Sequence, residues 1–274
     1  MQRIRLRRGQ SPHRAGGKIE RGPTVPYFGE PSSSFFYRRW AAAEPSSAVL
    51  LLHGWGEQSG YFHRFAAELT RDGSDVWAPD HVGHGLSGRH DGVFDSVDQL
   101  VDNAEALLGR ITAEQPRLPV IVVGHSLGGL TALGLAARNP GVLRGLVVSG
   151  APVAGPPDHV DDDAVWSDDE SYVDNVTHDP LAVDSEEGEA ALWRAVSAFL
   201  PGLEATTAAI DPATLVIYGE HDVLTDMKRA AQWTSTLPNG RLVVFPGGYH
   251  DILNDSNHRA VAAEITAFVR ELRN

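Results

Sequence analysis

The sequence contains no cysteine. Disulfide frameworks, thiolate zinc sites, iron–sulfur clusters and cysteine nucleophiles are excluded together. No run approaches the ~20 apolar residues of a membrane span, so stable membrane insertion is not expected. Positive charge is scarce: 23 Lys and Arg stand against 36 Asp and Glu, a formal net charge of −13. Such a chain repels nucleic acid and anionic lipid as a whole, and no nucleic-acid partner is expected. Between residues 158 and 189 there is no Lys or Arg at all, while 13 acidic residues gather there. Residues 1–21 reverse the balance, with seven basic residues and one acidic. The Gly, Ser and Pro of this opening make residues 1–25 read as a flexible basic tail. Arg7-Arg8 is followed by no apolar stretch of about 7–15 residues, so no signal peptide is read and the expected address is the cytoplasm.

What is present is ordinary for a globular protein: 274 residues, 42% hydrophobic and 22% charged. A chain of this length buries about 75% of its unfolded surface and needs no metal or disulfide to hold it. Short continuous apolar runs recur at Ala48–Leu52, Ser74–Ala78, Leu118–Val123, Leu143–Ser149, Thr214–Tyr218 and Arg241–Phe245. Strands covered on both faces need such runs. Helix-period segments lie between them, at Tyr61–Leu69, Val97–Ile111, Leu127–Ala137 and Ala260–Leu272. The alternation predicts an α/β fold over 26–274, a mostly parallel sheet with helices on both faces. From 152 to 211 no good strand is found, and Leu192, Trp193, Val196, Phe199, Leu200 and Leu203 fall on one helical face. This stretch reads as a short inserted cap, its acidic part as a solvated loop.

Gly124-His125-Ser126-Leu127-Gly128-Gly129 follows a strand run and opens a helix, the setting of a G-x-S-x-G nucleophile elbow. A serine hydroxyl needs a base, and the base an orienting acid. Asp222 follows the strand ending at Tyr218, and His250 follows the strand ending at Phe245. In a parallel sheet both loops lie on the edge where sites gather. Glu220 and Asp226 compete with Asp222; His258 and His221 compete with His250. An oxyanion needs preorganised N–H donors. Leu127, after the serine, and Trp55, in the His53-Gly54-Trp55-Gly56 loop, occupy suitable places. His53, His81, His84 and His90 lack the carboxylate arrangement of a hydrolytic metal motif, so no metal and no cofactor are expected.

On these residues the sequence resembles the α/β-hydrolase superfamily, and within it the monoacylglycerol lipase and lysophospholipase branch, the serine aminopeptidase-like hydrolases. LLHGWGEQSGYFHRFAAEL, PDHVGHGLSGR, GHSLGG, GEHDVLTD and FPGGYHDILND carry the likeness in order, over about Phe35 to Asn274. The resemblance implies an α/β-hydrolase fold, Ser126 as nucleophile, Asp222 as acid, His250 as base, and Trp55 and Leu127 as oxyanion donors. It implies a small-molecule ester substrate, a monoacylglycerol or similar small monoester. Two departures bear on substrate choice: Trp55 stands where the branch usually has a small residue, and the cap is short and acidic. Amide cleavage at a free amino terminus stays open, as do cofactor-free perhydrolase or haloperoxidase chemistry and a non-catalytic binding module.

Overall fold

A computed structural model of the chain describes residues 27–28, 35–88, 90–157, 159–160, 163–183 and 185–273. The expected tail at 1–25 lies outside them. Eight strands form one sheet: β1 (Tyr27–Phe28), β2 (Phe35–Trp40), β3 (Ser47–Leu52), β4 (Ser74–Pro79), β5 (Val120–His125), β6 (Gly145–Ser149), β7 (Ala213–Gly219) and β8 (Gly240–Phe245). Their order is β1-β2-β4-β3-β5-β6-β7-β8. β1 and β2 run antiparallel to their neighbours; every other pairing is parallel. The expected parallel sheet is therefore present, extended at one edge by two antiparallel strands. The helices are α1 (His63–Arg71), α2 (Val97–Glu114), α3 (Leu127–Arg138), α4 (Glu170–Thr177), α5 (Glu186–Thr206), α6 (Met227–Thr234) and α7 (His258–Glu271).

The continuous apolar strands serve two cores, because successive side chains point to opposite faces. Leu50, Leu52, Val122, Leu146, Val148 and Val216 face one side, packed with residues of α2, α3 and α5. Val49, Leu51, Ile121, Val123, Val147 and Leu215 face the other, packed with residues of α1 and α7. The ends of the strands are in register where it matters. Leu52 pairs with Gly124, His125 with Ser149, Ser149 with Ile217, and Gly219 with Phe245. The loops after β3, β5, β7 and β8 thus leave one edge together.

Between β6 and β7 lie α4 and α5, with no strand among the described residues. The acidic stretch is less loop-like than its composition suggests. Asp169 caps α4, its side chain accepting from the Tyr172 amide at 2.8 Å. Glu186, Glu187 and Glu189 occupy the first turn of α5. Carboxylates are favoured there, against the positive end of the helix dipole. No helix among the described residues is long and apolar enough to cross a membrane.

Candidate active site

β5 passes into α3 through a single residue, Ser126, at φ 50° and ψ −117°. A side chain rarely adopts this left-handed backbone, and the strain is held by its surroundings. The Ser126 amide donates to the Ser149 carbonyl at 2.7 Å, tying the turn to β6. The glycines on either side are required by close approach. A Cβ on Gly124 would collide with the Gly128 carbonyl, and one on Gly128 with the Leu52 carbonyl. Gly128→Ala is accordingly expected to cost about 1–3 kcal/mol by overpacking, read as a fall of several degrees in the thermal midpoint. An unchanged midpoint would mean that the turn relaxes freely.

Asp222 and His250, in the loops after β7 and β8, meet. The His250 Nδ1–H donates to Asp222 Oδ1 at 3.0 Å, and the pair is buried. The Leu224 amide donates to the same carboxylate oxygen at 2.9 Å, which fixes its orientation. Burial works against charge on His250. The charge and hydrogen bond of Asp222, with Asp251 and Glu57 behind them, outweigh it and raise the imidazole to about 9. Ser126 and His250 line one cavity of about 310 Å³. Among the described residues no hydrogen bond joins the Ser126 hydroxyl to the imidazole, a contact that in free enzymes often tightens only when substrate binds.

Trp55 lines the same cavity, and Leu127 directly follows Ser126 at the start of α3. Leu127 begins α3, so its amide N–H has no partner within the helix and lies at the positive end of the dipole. The loop carrying Trp55 is held by Glu57, whose Oε2 accepts the Gly54 amide at 2.6 Å. The Trp55 indole donates to the Gly92 carbonyl at 3.1 Å, pinning the ring as a wall of the cavity.

A family model described as "Serine aminopeptidase, S33" (Hydrolase_4) matches residues 43–163 and 158–257. The chain belongs to this family. Its likeness to curated proteins includes a monoacylglycerol lipase of Mycolicibacterium smegmatis, 29% identical over 82% of this chain and 89% of that protein. It also includes phospholipase YtpA of Bacillus subtilis, 24% identical over 84% of this chain and 97% of that protein. Among solved structures, a soluble variant of monoglyceride lipase from Saccharomyces cerevisiae superimposes with a TM-score of 0.76 at 19% identity, covering 93% of this chain and 98% of that one. At that identity the likeness concerns the fold, which is the α/β-hydrolase fold. With monoacylglycerol lipases among its relatives, this member of the S33 family is a hydrolase.

The rival residues are engaged elsewhere. Glu220 is exposed and accepts the Gly247 amide at 2.9 Å, bracing the turn after β8. Asp226 caps α6. His258 opens α7 and bonds the Asp255 carbonyl at 2.8 Å; the His221 ring packs on Tyr249. Sequence reasoning assigned no role to a buried polar group beside His250. The Tyr172 hydroxyl, from α4, donates to Glu57 Oε1 at 3.1 Å. His125 Nε2 faces Asp251 Oδ1 at 3.4 Å. Burial raises the Glu57 carboxyl above its usual range, with Asp251 adding to the effect. Burial acts to raise Asp251 too, but His125 and His250 overcome it and hold that carboxyl low. These partners come from four separate segments, so only Glu57, next to the His53-Gly54-Trp55-Gly56 loop, offered a local clue.

Proposed function

We propose that the protein is a serine hydrolase of carboxylic esters, acting on monoacylglycerols or similar small monoesters. The observation that carries this reading is the His250–Asp222 pair at 3.0 Å in the cavity that the strained Ser126 also lines. His250 Nε2 takes the Ser126 proton as the hydroxyl oxygen attacks the ester carbonyl. Asp222 keeps the proton on Nδ1 and balances the imidazolium. The Leu127 and Trp55 amides receive the developing oxyanion. Collapse returns the proton from His250 to the departing alcohol. Water, deprotonated by the same imidazole, then releases the acid.

The relatives named monoacylglycerol lipase support the substrate class, and the cavity sets its scale. At about 310 Å³ it lies at the small end of ligand clefts. Trp55 closes one wall, its ring against Gly92 and Gly188. Turnover is therefore expected to favour short and medium acyl chains. Trp55→Ala keeps a backbone amide at that position and removes the wall, and each accommodated methylene brings a gain. The ratio of kcat/KM for a dodecanoyl over a butanoyl 4-nitrophenyl ester is expected to rise at least ~10-fold. A ratio unchanged by the substitution would place the acyl chain elsewhere.

A second reading is amide cleavage next to a free ammonium group. It is favoured by Glu57, Glu189 and Asp251 in the cavity lining, where no Lys or Arg stands among the described residues. Turnover of 1-monoacylglycerols of rising chain length, compared with aminoacyl-naphthylamides, separates the two. Faster hydrolysis of the naphthylamides would replace the ester reading.

A further inference from the structure

His125, His250 and Asp251 each offer a ligand atom, and these atoms lie within 4.8 Å of one another. This is not the histidine set that the sequence analysis weighed and set aside. His125 ends β5 and Asp251 follows β8, 126 positions later, so the fold alone unites them. The reaction proposed above uses His250 but has no task for His125 or Asp251.

We propose that His125, His250 and Asp251 form a binding site for a borderline divalent cation of the Zn²⁺ type, whose occupancy silences the enzyme. Two nitrogens and one carboxylate oxygen are the donor set such a cation takes when three protein ligands leave a fourth position open. The spacing fits. In a tetrahedral site with Zn–N and Zn–O near 2.0–2.1 Å, neighbouring ligand atoms stand about 3.3 Å apart. His125 Nε2 and Asp251 Oδ1 are already 3.4 Å apart, long for a hydrogen bond between them.

The outer partners fit as well. Metal-bound histidines almost always give their other N–H to a carboxylate or another oxygen, which fixes the ring. His250 Nδ1 is held by Asp222 at 3.0 Å; His125 Nδ1 lies 3.4 Å from the Ser149 hydroxyl, a separation that a small shift of the hydroxyl closes to a hydrogen bond. Each ring thus turns Nε2 to its remaining side. All three residues line the cavity that Ser126 also lines, which supplies an entry path and an open face for the fourth ligand, a water. Carboxylates stand beside both imidazoles, Asp222 on His250 and Asp251 facing His125. A cation on His250 Nε2 occupies the electron pair that would accept the serine proton, so binding and hydrolysis exclude each other.

The inhibitory consequence rests on the esterase reading; the binding does not. Chelator-treated protein is titrated with Zn²⁺ by calorimetry, as wild type, Ser126→Ala and Asp251→Asn. Zn²⁺ is also added during hydrolysis of 4-nitrophenyl butyrate. The expected result is one tight equivalent on wild type and on Ser126→Ala, with affinity at least ~10-fold weaker in Asp251→Asn. The same concentration range should give inhibition that a chelator reverses. Zinc-edge X-ray absorption on unmodified protein, expected to show two imidazole ligands, decides the matter should Asp251→Asn fail to fold. Equal affinity in folded Asp251→Asn, or a spectrum without two imidazoles, overturns the site. Binding that depends on Asp251 in a protein without esterase activity would leave the site standing and overturn the functional reading instead.

Discussion

Ser126→Ala is expected to lower kcat on a short 4-nitrophenyl ester by at least ~10⁴-fold while leaving the thermal midpoint nearly unchanged. Two features of the site make the loss large and the stability effect small. The hydroxyl is the atom that would bond to the acyl group, and nothing else in the cavity stands in the elbow to replace it. It also has no hydrogen-bond partner among the described residues, so its removal leaves no buried group unsatisfied. Alanine meets the left-handed backbone at φ 50° with the same Cβ that serine has. His250→Ala should fall to a similar residual rate, and the double variant no further, because nucleophile and base act as one unit. Asp222→Asn keeps the shape but loses the carboxylate that holds Nδ1 protonated, and its loss should also approach ~10⁴-fold. Retention of most activity in Ser126→Ala would sink the nucleophile assignment, whatever the other two variants do.

The parts of this arrangement that were legible in the sequence are those written in contiguous residues. The apolar runs of β3 to β7 announced buried strands, whereas β8, read the same way, is an edge strand with no buried residue; Gly124-His125-Ser126-Leu127-Gly128 named its own turn. Asp222 and His250 were legible because each follows a strand end within five residues, and a parallel sheet gathers those ends. β2 escaped, since Phe35–Trp40 mixes buried Phe36 and Tyr37 with the exposed Arg39 and lies antiparallel at the flank of the parallel strands. α6 escaped because its eight residues, Met227–Thr234, bury only Ala230 and Thr234 and so carry little apolar pattern. The Glu57–Tyr172 contact spans 115 positions and the His125–Asp251 contact 126. No local spacing encodes such pairs; they exist only once α4 lies over the strand ends. The acidic stretch misled for a related reason. Its composition rightly reported solvent, since Glu186, Glu187 and Glu189 are exposed, but not that Asp169 and these glutamates start helices instead of lying in a loop.

Acidification from pH 8 to 5.5 is expected to remove up to about 4 kcal/mol of stability, through three buried histidines remote from the proposed chemistry. His53, His81 and His84 pack ring on ring, with centroids 4.4 Å apart for the first two and 5.4 Å for His53 and His84. Hydrogen bonding fixes His53 as neutral: its Nδ1–H donates to the Gly54 carbonyl at 2.7 Å, and its Nε2 accepts the His81 amide at 2.8 Å. His81 and His84 each bury an Nε2 that has no partner among the described residues, where an added proton would find no acceptor. Burial, reinforced by the neighbouring imidazoles, holds His53 well below its usual value, His81 at about 3 and His84 at about 4. The unfolded chain takes up a proton at each histidine below about pH 6.5, while the folded chain refuses it. Stability is thus complete above that pH and declines as pH falls, by up to about 1.4 kcal/mol per unit for each site. His250, raised to about 9, holds its proton in the folded chain before the unfolded chain gains one, so it adds stability as pH falls from 8 to about 6.5 and offsets part of the loss; below that both states are charged and it adds no slope. Glu57 and Asp255, raised above their usual range chiefly by burial, offset part of the loss. Against a typical total of about 5–15 kcal/mol, the remainder should lower the thermal midpoint by roughly 5 °C. In His84→Asn the amide nitrogen can keep the bond to the Val82 carbonyl that Nδ1 makes at 3.0 Å, and one titrating site is gone. Its midpoint should fall about a third less over the same interval; a flat wild-type profile between pH 8 and 5.5 would refute the neutral cluster.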